Sequence, residues 1–149
     1  VQRAWDRYDR LSVIGAITLS PTRTRLSVPF QIHSDNIRTA EVVAFIRALR
    51  ASKRGPLIVI LDRWSVHRAA AKQILASRLQ NIEFEWLPAY APELNPVEVL
   101  WSHTKYGELA NFVPEDTPQL QRSVRKSLKS QARDHRLKNP FFQTAKLRI

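Results

Sequence analysis

There is no cysteine in this chain, so neither a disulfide nor a thiolate metal site belongs to its chemistry. Its four histidines, His33, His67, His103 and His135, lack the close pairing that zinc sites use, which leaves oxygen as the ligand for any metal. Long apolar runs are missing too. The longest aliphatic stretch, Leu57-Ile-Val-Ile-Leu61, is far too short to span a bilayer, and Val1-Gln-Arg-Ala-Trp5 lacks the apolar centre of a signal peptide. A soluble, intracellular protein with no membrane partner is expected. Acidic residues are the scarce charge, 13 against 24 Lys and Arg. The resulting net charge of +11 draws a chain to polyanions, of which nucleic acid is the commonest inside a cell. No internal repeat, low-complexity tract or linker divides the chain, so its 149 residues, 44% hydrophobic, read as one domain with a core.

The positive charge is unevenly spread. From Gln121 to the C-terminus stand Arg122, Arg125, Lys126, Lys129, Arg133, Arg136, Lys138, Lys146 and Arg148, against the single acid Asp134. A solvated basic tail is the plain alternative; contact with nucleic acid is the reading preferred here.

Hydrophobic periodicity gives an α/β order. Residues 1–10 are a polar lead-in. The β-branched run at 11–19 and the alternating run at 25–33, separated by Ser20-Pro21-Thr22, predict a hairpin, with Pro29 placing the second strand at a sheet edge. Thr39 caps a helix over residues 40–52 whose Val42, Phe45, Ile46 and Leu49 form an apolar stripe, with Arg47 and Arg50 turned outward. Gly55-Pro56 ends it. The continuous aliphatic run at 57–61 then reads as a central strand buried on both faces. A helix over 66–79 packs through Ala69, Ala70, Ile74 and Leu75, and residues 82–87 alternate as another strand. Thr117-Pro118 opens a last, basic helix over 117–137 with Leu120, Val124 and Leu128 on its apolar side. Asn139-Pro140-Phe141-Phe142 is expected to dock the tail through its two aromatics.

The stretch Leu87-Pro-Ala-Tyr-Ala-Pro-Glu-Leu-Asn-Pro-Val-Glu-Val-Leu-Trp101 organises the rest. Asn95 is an N-cap and Pro96 sits at the first helical position, where its missing N–H is harmless. A helix over 96–109 follows, packed through Val97, Leu100, Trp101 and Thr104. Glu98 stands on its first turn, facing inward beneath the 90–94 loop. Asn-x-x-Glu is also a capping box, so Glu98 has a purely local role open to it. Asp62 ends the aliphatic strand, at the strand edge where α/β sheets gather function, and it too has a local alternative as a helix cap shared with Ser65. Taken together, two carboxylates at that edge of a basic, thiol-free chain describe an oxygen-ligand site for Mg2+ or Mn2+ acting on phosphodiesters.

Leu61-Asp-Arg-Trp-Ser-Val-His67, followed by the 87–101 block with its Leu94-Asn-Pro-Val-Glu98 core and Trp101, resembles the second and third acidic motifs of the mariner-like transposase superfamily. The likeness is to its bacterial insertion-sequence branch, a group of DDE-type endonucleases. Thirty-five residues separate Asp62 from Glu98, as in that group's Asp-Asp-Glu triad. The resemblance runs from about Asp9 to the basic C-terminus. It implies a ribonuclease H-like mixed sheet flanked by helices, in which Asp62 and Glu98 are catalytic ligands of a two-metal site using Mg2+ or Mn2+. It also implies DNA, as transposon ends and target, for partner, and the cytoplasm, at the nucleoid, for location. His67 and Lys105 match family positions near the site, and Arg122, Arg125, Lys126 and Lys129 are the expected DNA contacts. Trp64 and Trp101 read as packing residues rather than base-stacking ones, and Glu93 as solvent-facing.

The pattern is also incomplete. The family's first aspartate lies in an Asp-Glu pair on the first, central strand, and no Asp-Glu occurs here; Asp6 and Asp9 come too late to fill that role. The upstream helix-turn-helix is missing as well. The chain thus reads as a partial catalytic domain without the first strand, inactive alone and completed by a separately encoded N-terminal part or within a homodimer. The alternative is a non-catalytic, basic nucleic-acid-binding remnant.

Overall fold

Ser12–Gly15 (β1) runs antiparallel to Phe30–His33 (β4), and beyond a break in each strand Thr18–Leu19 (β2) pairs with Leu26–Ser27 (β3). Pro29 sits at that break. It has no amide to give the ladder, but its carbonyl accepts the Ala16 N–H at 3.0 Å, which keeps the two short ladders in one hairpin. The computed structural model describes residues 11–134; residues 1–10, the expected Phe141-Phe142 docking and the basic residues from Arg136 onward lie outside them.

Thr39–Ala51 (α1) begins where the Glu41 carboxylate accepts the Arg38 amide at 2.8 Å. That hydrogen bond is the first cause holding the Glu41 carboxyl below the usual glutamate range. Val42, Phe45, Ile46 and Leu49 are all buried, each contributing roughly 1.5–3 kcal/mol. Arg47 is exposed, whereas Arg50 folds back, donating to the carbonyls of Gln80 and Lys53. Leu57–Leu61 (β5), Ser65–Ala76 (α2) and Ile82–Trp86 (β6) form a β-α-β unit with β5 and β6 parallel and in register from Leu57 opposite Ile82 to Leu61 opposite Trp86. Pro96–Ser102 (α3) continues into a π-helical turn, His103–Glu108, and Thr117–Arg133 (α4) is the longest helix described. None of the described helices is long and apolar enough to cross a membrane.

Two apolar clusters hold these elements. Ile14 of β1 joins Val42, Phe45, Ile46, Leu49, Ala70 and Ile74, with Leu57, Val59, Ile82 and Phe84 packed against them. Val13, the next residue of the same strand, packs on the opposite cluster of Val28, Leu100 and Leu128. The hairpin is thus covered by α1 on one face and by α3 and α4 on the other, as the two-residue strand period requires. The result is a mixed α/β fold of short sheets and four helices, compatible with a ribonuclease H-like domain.

Three expectations change. The strand β5 is not buried on both faces: Ile58 and Ile60 are 61% exposed, because α1 and α2 cover one face and no described element covers the other. Among the described residues β5 pairs with β6 alone and β1 with β4 alone. On α2, Leu75 is 61% exposed and Ala71 is buried beside Ala70 and Ile74. The α1 surface takes up the small residues and turns the leucine out. The helix over 96–109 is not uniform either: Leu109 N–H bonds the Thr104 carbonyl at 3.0 Å, five residues back, which is the π-type turn.

Gly15 marks a close approach of β1 to Trp101 of α3. A Cβ there would lie 2.9 Å from Cη2 and 3.2 Å from Cζ2 of Trp101. Gly15→Ala should therefore push Trp101, and α3 with it, away from β1. A loss of about 1–3 kcal/mol in a denaturant titration is expected from such overpacking. An unchanged midpoint would mean that Trp101 is free to swing aside.

Candidate active site

Asp62 follows the last residue of β5, and its Oδ1 accepts two hydrogen bonds, from the Trp64 amide at 3.0 Å and from His67 Nδ1 at 2.6 Å. Neither is a helix cap. The cap residue of α2 is Trp64, and it makes no side-chain cap bond. The two donors instead hold one carboxylate oxygen still, leaving Oδ2 without a hydrogen-bonded partner among the described residues and the side chain 43% exposed. His67 also meets the Trp64 ring edge to face at 5.2 Å and 83°.

Glu98 stands at the third position of α3, behind the N-cap Asn95, whose Oδ1 accepts the Val97 amide at 3.2 Å. The capping-box role does not materialise. The Asn95 amide donates to the Pro92 carbonyl at 2.9 Å, and the Glu98 carboxylate makes no hydrogen bond or ion pair among the described residues. Glu98 is also exposed rather than turned inward. The cause is helical phase: Leu100 and Thr104 are buried and Val97 and Trp101 half-buried, so this face docks on the hairpin and α4. Glu98, one residue or about 100° from Val97, is left facing solvent. Glu93, on the 3-10 turn Pro92–Leu94, is exposed as well.

The loops that carry the two acids are tied together. The ladder of β5 and β6 extends one step further through Leu87 N–H to the Leu61 carbonyl at 2.8 Å, and Arg63 Nε donates to the Leu87 carbonyl at 3.2 Å. The segment after β5, with Asp62, and the segment leading to Glu98 therefore start side by side.

Of the residues singled out in the sequence, the structure brings Asp62 and His67 into direct contact. Lys105 lies exposed on the π-helical turn. Arg122, Arg125, Lys126 and Lys129 are exposed along one side of α4, and Arg133 extends the row. None of the five makes an ion pair among the described residues. Two residues escaped the sequence reading. Trp64 is 48% exposed rather than packed, and Tyr90 is fully exposed with a positive φ of 57°. An isolated aromatic letter in a loop fixes neither how far its ring is exposed nor a left-handed backbone. Trp101, by contrast, packs against Gly15.

Residues 2–121 match the family described as DDE superfamily endonuclease. The chain belongs to that family. Comparison with curated proteins gives no match. Membership makes a transposase-like nuclease acting on DNA the coarse function of this endonuclease domain, and the superfamily typically uses divalent metals. The donor chemistry suits such an ion: Asp62 Oδ2 and both Glu98 oxygens are hard ligands with no competing partner among the described residues. They amount to part of a site. No group of three or more His, Asp or Glu that could hold a metal occurs among the described residues.

Proposed function

We propose that this chain is the catalytic-core part of a bacterial insertion-sequence transposase of the mariner-like superfamily, performing metal-dependent phosphodiester hydrolysis and strand transfer on transposon-end and target DNA at the nucleoid. The observation that carries the reading is that both acids are released from local duty: Asp62 is clamped through one oxygen only, and Glu98 is not spent on its helix cap. A pair of divalent cations, Mg2+ or Mn2+, would supply Lewis-acid and charge-stabilising chemistry for phosphodiester cleavage in a two-metal site. Asp62 and Glu98 would hold them from this chain. His67 and the Trp64 amide hold Asp62 in one rotamer, and Lys105 with the α4 cations Arg122, Arg125, Lys126 and Lys129 hold phosphates.

A ribonuclease H-like arrangement also accounts for the open ladders. The β1–β4 and β5–β6 pairs share the cluster beneath α1 yet do not pair with each other among the described residues. A further strand between them would join the two ladders and carry the third acid. That strand lies outside residues 11–134. The second reading, a non-catalytic nucleic-acid-binding remnant, is favoured by the continuous exposed row of cations on α4.

Mn2+ titration decides between them. The chain should bind Mn2+, and Asp62→Asn and Glu98→Gln should each weaken binding at least about tenfold, since each removes a charged ligand. Equal affinity in the wild type and both variants would leave only the binding remnant.

A further inference from the structure

Two neighbouring exits from the β5–β6 ladder each carry an exposed aromatic ring. Leu61 and Leu87 are joined by a backbone hydrogen bond at 2.8 Å, and three residues beyond each stand Trp64 and Tyr90. Trp64 is 48% exposed and is held in orientation by its edge contact with His67. Tyr90 is 102% exposed, so its ring touches almost nothing, and its φ of 57° is a conformation that bulky L-residues rarely adopt. Strain of this kind, with no packing contact to offset it, gathers at ligand sites. Asp62 stands on the first of these exits, two residues before Trp64, whose amide its carboxylate accepts at 3.0 Å. Arg63 bridges the two loops through Nε, and its guanidinium is exposed and makes no other hydrogen bond or ion pair among the described residues.

We propose that Trp64 and Tyr90 form a stacking subsite for an unpaired nucleobase of the DNA strand that runs past Asp62, with Arg63 holding the adjoining phosphate. The inference rests on the endonuclease reading, which supplies DNA as the polymer. The chemistry fits one occupant. A nucleobase offers a planar π face to aromatic rings, and its phosphate offers an anion to a guanidinium. Bases within a duplex are already stacked on their neighbours, so only an extruded or single-stranded base can enter. Stacking ignores base identity to a first approximation, which suits a subsite that grips the strand without reading its sequence.

The test uses the full chain, a labelled single-stranded oligonucleotide of about ten nucleotides and the corresponding duplex. Tyr90→Ala and Trp64→Ala should each weaken single-strand binding about tenfold, with the duplex barely affected. Tyr90→Phe, which keeps the ring, should bind like the wild type. A strand carrying 2-aminopurine should lose fluorescence on binding the wild type and less on binding Tyr90→Ala. Because Tyr90 touches no other side chain appreciably, its replacement leaves the fold intact, and circular dichroism checks this. Unchanged single-strand affinity in Tyr90→Ala, or equal losses for strand and duplex, overturns the subsite. Mn2+ binding that ignores Asp62, with ring-dependent single-strand binding intact, sinks the catalytic reading and leaves the subsite standing. A wild-type chain with no affinity for DNA sinks both.

Discussion

Raising the salt concentration from about 50 to 200 mM should weaken DNA binding by a factor on the order of 500. The estimate follows from α4. Arg122, Arg125, Lys126, Lys129 and Arg133 recur at intervals of three and four residues, so they form one stripe, and all five are exposed. None has an ion-pair partner among the described residues that would have to be displaced. Each phosphate neutralised contributes roughly −0.9 to the slope of log affinity against log salt, which gives about −4.5 for the stripe. A fourfold rise in salt then yields the stated loss. Replacing Arg122, Arg125, Lys126 and Lys129 by glutamine should make the slope shallower by about 3.6. The opposite face of the helix holds Val124 and Leu128 in the core, so these four changes spare the packing. If the variant keeps the wild-type slope, DNA lies on another surface.

Leu100→Ala should cost about 3 kcal/mol of stability, a shift of roughly 150-fold in the folding equilibrium. Leu100 has no exposed surface and meets Val28 of the hairpin and Leu128 of α4, so it is the point where three elements converge. Truncation leaves a cavity that none of the three can fill without parting from another. Chemical denaturation reads the loss directly. Ile60→Ala is the informative comparison, because Ile60 is equally aliphatic yet largely exposed. It should stay within about 0.5 kcal/mol, the usual range for surface positions. A cost near that of Leu100→Ala would mean that the Ile58 and Ile60 face is covered in solution.

What could be read from the letters depended on whether a signal was local. The stripe of α1 was legible because Val42, Phe45, Ile46 and Leu49 fit one helical face and polar residues fill the rest. The packing side of α2 was read slightly out of phase. Alanines at 69, 70 and 71 flank the stripe, and periodicity fixes a face only where its borders contrast. The aliphatic run of β5 told that a strand was there but not what lies on each side, which depends on elements remote in sequence. Asn95-Pro96 located the start of α3, and Asn95 does cap it. Which way Glu98 then points follows from Val97, Leu100, Trp101 and Thr104 docking together, a tertiary fact. The π-helical turn gave no warning in composition.

The candidate site divides in the same way. The strand-end position of Asp62 was readable from five aliphatic residues and a polar stop. The clamp on its Oδ1 was not, because it depends on the α2 start turning His67 back towards the strand end. Trp64 reads as a packing residue in the sequence, and it is instead half in solvent with its ring against His67. Tyr90 lay between two prolines in a loop, where neither pattern nor propensity says how far a side chain stands from the surface.

One small group of buried polar atoms bears on where the positive stripe points. Gln131 Nε2 donates to Thr104 Oγ1 at 2.7 Å and to Ser127 Oγ at 3.1 Å, and Thr104 Oγ1 donates to the Leu100 carbonyl at 3.1 Å. Leucine seams tolerate a helix turning or sliding by part of a turn, since apolar contacts lack direction. Hydrogen bonds between buried amide and hydroxyl groups do not, because any other azimuth strands them at about 1–3 kcal/mol each. The trio therefore works as an index mark between α4 and the π-helical turn. It gives the arginines and lysines of the outer face a fixed compass bearing relative to the helix that carries Glu98.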